Sequence, residues 1–331
     1  MIDCCLDVVD RTPVALNYLE DCLGLDASSN VKFIAITHWH DDHVRGAAEL
    51  LEGCTNARLF CSAALRTDEF FQLVLAAESL PIKPSAAVAE FGSILKTLET
   101  RGMAGPEWLV ADKRFFVCGA DQARVELWAL SPSNAAITVA KQALGALIPV
   151  AGTPKARIVR QGANDVAAAI LVRAGEGAFQ ILLGSDLEVT SSTDRGWAAV
   201  IASSERPQEQ AHVFKIPHHG SPNADHPNVW ATMLAGHPVA LVAPFGRGVT
   251  PRPDPADMSR IRSRTKNAFI TATRSLFRPR ERRPSVEAVL KQTARQRRAL
   301  WGTDMGHIRV RKELGVPGPP SVELFARAKK L

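Results

Sequence analysis

The sequence predicts an α/β fold in which strands and helices alternate along the chain. Short runs rich in apolar and β-branched residues recur, as expected of buried strands. Segments with helical signals separate them, and no repeat of fixed short period interrupts the alternation. The 331 residues are 46% hydrophobic and 22% charged, which is enough apolar material for a sizeable core. The predicted strands are residues 31–37, 57–61, 114–118, 124–130, 166–172, 179–185 and 213–216.

The helices have local signals of their own. Thr12 and Pro13 are typical of an N-cap and a first helical position, and Gly24 is expected to end that helix. The other predicted helices are residues 43–51, 62–80, 84–100, 134–147 and a basic helix over 285–301. Dense Pro and Arg predict loops at residues 246–255 and 278–284, and sheet edges are expected at 267–271 and in a terminal hairpin around 315–320.

Several classes of protein are disfavoured by composition. The longest apolar runs fall far short of the roughly 20 residues that a membrane helix needs, so no membrane partner is expected. The first ten residues, MIDCCLDVVD, carry early acids and do not have the pattern of a secretory signal. The six cysteines form no C-x-x-C pair, which excludes a zinc ribbon and favours reduced thiols. A cytoplasmic protein is therefore expected.

Charge is divided unevenly along the chain. From Arg247 onward, 21 Lys and Arg stand against 7 Asp and Glu, a balance of +14, whereas the remainder holds 19 basic and 27 acidic residues. This asymmetry favours nucleic acid or another polyanion as a partner. A solvated arginine-rich face or an oligomer surface is the alternative. Aromatic residues among the charges are few (Phe269, Phe277 and Trp301), so stacking on single strands is not strongly indicated.

The strongest chemical signal is the segment THWHDDH at residues 37–43, which directly follows a predicted strand. His38 and His40 point the same way in extended backbone and can share one metal ion. Asp42 and His43 come where the chain turns into a helix, and can reach a second ion a few Å away. Imidazole and carboxylate are ligands of Zn²⁺, Mn²⁺ and Fe. A polar loop with coincidental histidines is the alternative interpretation.

Two further strand ends carry similar residue types. Asp186 follows the apolar strand over residues 179–185 and can bridge two cations, although an Asp at a strand end is more often a cap or turn residue. The segment KIPHHGS at residues 215–221 places His218 and His219 after another strand. Three strand ends are thus expected to converge on one site rich in histidine and carboxylate.

The order of these motifs resembles that of the metallo-β-lactamase fold hydrolases, and the PHHGS ending is similar to their ComEC-like branch. The resemblance covers roughly residues 1–245. It implies a four-layer αββα sandwich with two divalent metal ions, zinc or manganese, at one edge of its two sheets. The implied organisation is a hydrolase domain over residues 1–250 and a basic part over 251–331 that completes the same sandwich.

The resemblance also implies roles for individual residues. His38 and His40 would hold the first ion, Asp42 and His43 the second, and Asp186 would bridge them. Either His218 or His219 would complete the second site. Asp3 would match the buried aspartate that orders the histidine loop without binding metal.

The chain departs from the family in two places. It has no histidine from residue 44 to 211, where many members have a further ligand, and Asn164 there is similar to the Asn-rich stretch of the ComEC-like branch. The first ion would therefore have fewer protein ligands and more open positions, which keeps Mn²⁺ open beside Zn²⁺. The family also usually has a β-hairpin before the strand that carries Asp3.

The implied activity is hydrolysis by water activated between the two ions, with Asp42 and Asp186 as the catalytic carboxylates. A phosphodiester, with nucleic acid favoured, is the leading substrate class. An ester, lactone or thioester is the rival on the same site. A non-catalytic binding component of a bacterial defence or mobile-element assembly is the interpretation from another class. Asn164, Lys215 and Ser221 are candidate substrate contacts.

Overall fold

The computed structural model describes residues 1–7, 11–65, 86–145, 162–246, 251–272, 283–293 and 306–331. Within these ranges the chain is a mixed α/β protein with one eight-stranded, one three-stranded and one two-stranded sheet. None of the helices in the described ranges is long and apolar enough to cross a membrane. All six cysteines are free thiols, as the sequence predicts.

The N-terminal part builds the three-stranded sheet, which is parallel in the order β1-β2-β3. Its strands are β1 (Phe33–Ile36), β2 (Arg58–Ser62) and β3 (Glu107–Leu109). The first residues run beside β1, because Asp3 N donates to Ala35 O at 2.8 Å and Ala35 N donates to Met1 O at 2.9 Å. The helices of this part are α1 (Val14–Asn17), α2 (Ala27–Asn30), α3 (Asp41–Val44), α4 (Ala47–Gly53) and α5 (Ala86–Thr100).

The large sheet has the order β13-β10-β9-β8-β7-β6-β5-β4. Its strands are β4 (Lys113–Cys118), β5 (Val125–Ala129), β6 (Ile170–Ala174), β7 (Phe179–Leu183), β8 (Ala211–Lys215), β9 (Leu234–Val242), β10 (Ala268–Ile270) and β13 (Lys329–Lys330). Strands β7 to β10 are parallel neighbours, so their carboxyl ends lie at one edge of the sheet. Strands β4 to β7 pair antiparallel, and β13 lies antiparallel beside β10.

The two faces of this sheet bury different cores, because alternate residues of a strand point to opposite sides. Leu127 and Ile170 on one face pack with Ala35 and Phe60 of the three-stranded sheet. The opposite face packs with Trp197 and other side chains from the covering helices. The helices of this part of the chain are α6 (Asn134–Gly145), α7 (Gly196–Ala202), α8 (Pro255–Arg264) and α9 (Pro284–Thr293), and α7 and α8 contribute to that core.

The C-terminal residues are divided between two sheets. Strands β10 and β13 extend the large sheet, whereas β11 (His307–Arg311) and β12 (Ser321–Phe325) form a separate antiparallel hairpin. Val310 and Val322 of this hairpin pack on Val213 and Val239 of the large sheet. Arg309 Nε donates to the Tyr18 hydroxyl at 2.7 Å, which joins the hairpin to the N-terminal part.

Two predicted elements are wrong in their extent. The helix predicted over residues 43–51 is two helices, α3 and α4, because the backbone turns at Gly46, whose φ is +89°. The position needs glycine, since a Cβ there would collide with the Leu6 side chain. The strand over residues 166–172 begins only at Ile170. Before it, Asn164–Val166 form a 3-10 turn, and Ala168 N donates to Thr37 O, outside the ladder of the large sheet.

Other elements have weak local signals. Strand β9 was not predicted because its sequence, LAGHPVALV, contains Gly, His and Pro near its start. Strand β3 and helix α7 were not predicted either. Helix α8 begins at Pro255, the last residue of a predicted loop. Most of the predicted helix over 62–80 and the end of the basic helix over 285–301 lie outside the described residues.

Candidate metal centre

Two overlapping groups of histidine and aspartate lie at the carboxyl ends of β1, β7 and β8. One consists of His38, His40 and Asp186, and the other of Asp42, His43, Asp186 and His219; within each group the potential ligand atoms all lie within 4.8 Å of one another. Asp186 belongs to both groups. The two parallel strands β7 and β8 bring Asp186 and His219 to one sheet edge, and β1 brings the histidine loop to the same place.

The distances within the groups are those of a compact cluster. His38 Nε2 lies 3.2 Å from His40 Nδ1 and 3.9 Å from Asp186 Oδ2. His43 Nε2 lies 3.4 Å from Asp186 Oδ1 and 3.7 Å from Asp42 Oδ2. His219 Nε2 lies 3.1 Å from Asp42 Oδ2 and 3.6 Å from Asp186 Oδ2. Histidine nitrogens from two other segments, the histidine loop and the loop that carries His219, therefore converge on Asp186.

Asp3 orients the histidine loop through both of its carboxylate oxygens. Its Oδ1 accepts from Thr37 N at 2.8 Å, and its Oδ2 accepts from Thr37 Oγ1 at 2.9 Å and lies 2.7 Å from His43 Nδ1. The contact on Nδ1 leaves Nε2 of the same ring directed at Asp186. Ser185 Oγ donates to Thr37 Oγ1 at 2.6 Å, so the end of β7 is tied to the end of β1. Asp3 thus contacts the histidine loop without belonging to either potential metal group.

The backbone around the cluster is held in left-handed conformations. Asp3, Ser185, His218 and His219 have φ of +56°, +49°, +44° and +55°, values that non-glycine residues rarely adopt. Such strain persists only where surrounding contacts enforce it, and it concentrates at functional sites. Here it lies in the two strand-end loops, at Ser185 directly before Asp186 and at the adjacent His218 and His219.

The two adjacent histidines of the HHG turn have different environments. His219 Nδ1 lies 2.9 Å from Ala243 O, and its ring stacks on Phe245 with centroids 5.0 Å apart, so Nε2 faces Asp42. His218 points away from the cluster. Its Nδ1 lies 3.0 Å from Asn223 Oδ1 and 3.1 Å from Glu188 Oε1, and its Nε2 lies 3.3 Å from Asn164 Nδ2. Of the two residues that the sequence left open, His219 is therefore the one in a potential metal group.

The pKa values of the cluster residues depend on one another. Burial lowers the pKa of His38 far below its usual value, and the neighbouring His43 lowers it further. Burial also disfavours a charged His43, but Asp3 and Asp186 outweigh it and raise the pKa of His43 well above normal. For Asp186 and Asp42, burial acts to raise the pKa, yet the nearby histidines bring the pKa of each carboxyl well below its usual value. The carboxylates are thus ionised and aimed at positions where a cation is favourable.

The three candidate substrate contacts lie in different places. Asn164 lies beside His218, and its Nδ2 donates to Glu188 Oε1 at 2.7 Å. Lys215 is half-buried, its Nζ donates to Ile216 O at 3.0 Å, and burial lowers its pKa against the opposing effect of Asp186. Ser221 is buried and lines a small cavity on the far side of the HHG turn, beside Arg260.

Sequence reasoning missed several residues that support the site. Glu188 lies two positions after Asp186 and holds both His218 and Asn164, so its proximity in sequence was a usable signal. The carbonyl of Ala243 and the side chain of Arg260 reach the HHG turn from later elements. These two had no signal in the local sequence.

Comparisons with known proteins do not identify a family. No protein-family model matches the chain, and no curated protein matches it either. The candidate centre therefore stands on the geometry of its own residues, six positions from three segments whose potential ligand atoms could hold one or two metal ions.

Proposed function

We propose that this chain is a metal-dependent hydrolase of the metallo-β-lactamase type, with its two sheets forming the inner layers of an αββα sandwich. The observation that carries the proposal is the position of Asp186. One carboxylate belongs to both potential metal groups, with its Oδ1 toward His43 and its Oδ2 toward His38 and His219. A carboxylate shared in this way is the arrangement expected of a bridging ligand between two ions.

The donor set fits two divalent ions of intermediate softness. His38, His40 and Asp186 would hold one ion, and Asp42, His43, Asp186 and His219 would hold the other. Imidazole nitrogens mixed with carboxylate oxygens suit zinc and manganese. Bound together, two such ions lower the pKa of a water molecule and stabilise negative charge on the reacting group.

The residues of the chain would prepare this centre in specific ways. Asp3 holds the Nδ1 side of His43, which selects the ring nitrogen that faces the ions. Ala243 O does the same for His219. The three protein donors of the first group leave room for water and a substrate oxygen. Asn164 and Lys215 would be candidate contacts for a bound substrate.

A phosphodiester, with nucleic acid favoured, is the proposed substrate class. The excess of +14 over residues 247–331, from 21 basic and 7 acidic residues, supports it. Helix α8 belongs to that basic part and packs directly on the HHG turn, where Arg260 Nη2 donates to Gly220 O at 2.6 Å. Some of the basic residues have internal roles instead, because Arg252, Arg260 and Arg309 form ion pairs within the described structure.

Cleavage assays test this proposal. Linear single- and double-stranded DNA and RNA would be incubated with the protein and Mn²⁺ or Zn²⁺, beside Asp42→Ala, Asp186→Ala and the exposed control Asp194→Ala. Cleavage that is lost in the first two variants and kept in the third supports the nuclease. Protein that holds two ions and cleaves none of these substrates contradicts it and favours an ester, lactone or thioester. Protein that holds no metal contradicts the hydrolase and favours the binding component.

A further inference from the structure

We propose that Arg260 is a positioning residue that holds the HHG turn in the shape that His219 needs to bind metal. The inference rests on the proposed function and assigns to the basic C-terminal part a role in the centre itself. Arg260 lies on α8, 41 positions after His219 in the sequence, and contacts no member of the metal groups directly.

The HHG turn needs support from outside itself. Three successive residues, His218, His219 and Gly220, have positive φ of +44°, +55° and +81°. Two of them carry side chains, so each disfavours this conformation on its own. Within the turn, Gly220 N donates to Pro217 O and Ser221 N donates to His218 O, both at 2.9 Å, and His218 N donates outside it to Ser185 O at 3.0 Å.

Arg260 supplies that support through its guanidinium. Its Nη2 donates to Gly220 O at 2.6 Å, directly after His219 in the chain. Its Nη1 donates to Asp257 Oδ1 at 2.8 Å, and its Nε lies 2.9 Å from Asp225 Oδ2. The planar guanidinium thus joins the turn to two carboxylates in a fixed geometry, which a single-point cation cannot reproduce.

The two carboxylates are themselves held in place. Asp257 is only 1% exposed, forms a capping box with Asp254 at the start of α8, and accepts from Arg252 Nη1 at 2.7 Å. Asp225 accepts from Trp230 Nε1 at 2.7 Å. Other contacts therefore fix both carboxylates that Arg260 binds.

Apolar packing reinforces the same contact. A Cβ built on Gly220 would lie 3.1 Å from Ile261 Cδ1 and 3.6 Å from the Pro253 ring. Helix α8 therefore touches the turn closely enough that only glycine fits without a shift. A guanidinium fixed beside such a contact sets the position of the Gly220 carbonyl, and with it the direction of the His219 ring.

Metal titration of the full chain tests this role. Wild type, Arg260→Met, Arg260→Lys and the exposed control Arg262→Met would be titrated with Zn²⁺ against a chelator, and with Co²⁺ followed by its absorption spectrum. We expect one binding step, that of the group containing His219, to lose about 10–100-fold in affinity in Arg260→Met, the range typical of supporting contacts. Arg260→Lys should lose less, and Arg262→Met should match wild type in both steps.

The outcomes separate the two proposals. Equal affinities for both ions in wild type and Arg260→Met overturn the role of Arg260 and leave the centre standing. An equal loss in both steps, or a loss accompanied by a general fall in melting temperature, also overturns it, because a structural defect would not single out one ion. If Arg260→Met does not fold, Arg260→Lys decides by the same criterion. A wild-type chain that binds no ion overturns the centre and this role together.

Discussion

The contact between Asp3 and His43 can be tested by a substitution that changes a single side-chain atom. Asp3→Asn replaces one carboxylate oxygen by an NH₂ group of almost the same size. Asn tolerates the left-handed backbone at this position, where φ is +56°, so the substitution leaves the chain path intact. It removes one acceptor, from either His43 Nδ1 at 2.7 Å or Thr37 Oγ1 at 2.9 Å.

The size of the effect follows from these contacts. Without the carboxylate, the His43 ring loses the acceptor that fixes its Nδ1 proton and the aim of its Nε2. Supporting contacts of this kind are worth about 10–100-fold in metal affinity, or about 1.4–2.7 kcal/mol. The metal-free protein should lose about 1–3 kcal/mol of unfolding free energy, because one hydrogen bond to a charged group is lost while Thr37 N keeps its partner.

The assay is a Zn²⁺ titration against a chelator, combined with chemical unfolding of the metal-free protein. Asp121→Asn is the matched control, since Asp121 is an exposed aspartate with φ of +49° outside the cluster. We expect wild-type metal affinity in the control and weaker binding in Asp3→Asn. Affinities within twofold of each other, in two well-folded proteins, would refute the reasoning that Asp3 orients His43.

Three further results are expected. His219→Ala should lose one bound ion by elemental analysis, whereas His218→Ala, whose ring contacts Glu188 instead, should keep both; equal losses would contradict the assignment. Gly46→Ala should lower the unfolding free energy by about 2–4 kcal/mol more than the control Gly102→Ala, because only the Cβ added at Gly46 collides with Leu6. Equal losses in the two variants would show that backbone strain at positive φ dominates. Burial acts to raise the pKa of Asp257, but its hydrogen bonds with Asp254, Arg252 and Arg260 prevail and lower that pKa. The ionised Asp257 therefore stabilises the folded state fully above the pKa of about 4 that an unfolded chain has. This stabilisation is lost as the pH falls through the lower pKa of the folded state. Wild type should therefore exceed Asp257→Asn by about 2 kcal/mol at pH 7, and urea unfolding at decreasing pH should show that gap closing below about pH 4; a constant gap would rule out the charge as its source.

Local sequence signals predicted most of the strands near the site. The apolar run before His38 is β1, and the runs before Asp186 and His218 are β7 and β8. Each signal was strong because a buried strand needs a continuous apolar segment, which can be read without knowledge of its neighbours. The hairpin near the C-terminus was predicted for a similar reason, since Gly and Pro at residues 315–320 indicate a turn between two short runs.

Strand β9 and helix α8 were harder to predict because tertiary contacts stabilise them. Strand β9 lies between β8 and β10, and the ladders on both sides compensate for the Pro and Gly in its sequence. Helix α8 has few apolar residues, but its capping box and the burial of Ile261 against the large sheet hold it in place. Neither set of contacts is visible in a short window of sequence.

In the candidate centre, too, some features follow from the local sequence and others from tertiary contacts. The sequence alone determined which residue types can bind metal and that they follow strands, because ligand chemistry and strand patterns are local properties. The tertiary structure alone decided between His218 and His219. These neighbours have the same side chain, and only the left-handed turn and the Ala243 carbonyl, 24 residues beyond His219, direct one ring to Asp42 and the other to Glu188. Such a choice depends on contacts between distant segments, so it exists only once the chain has folded.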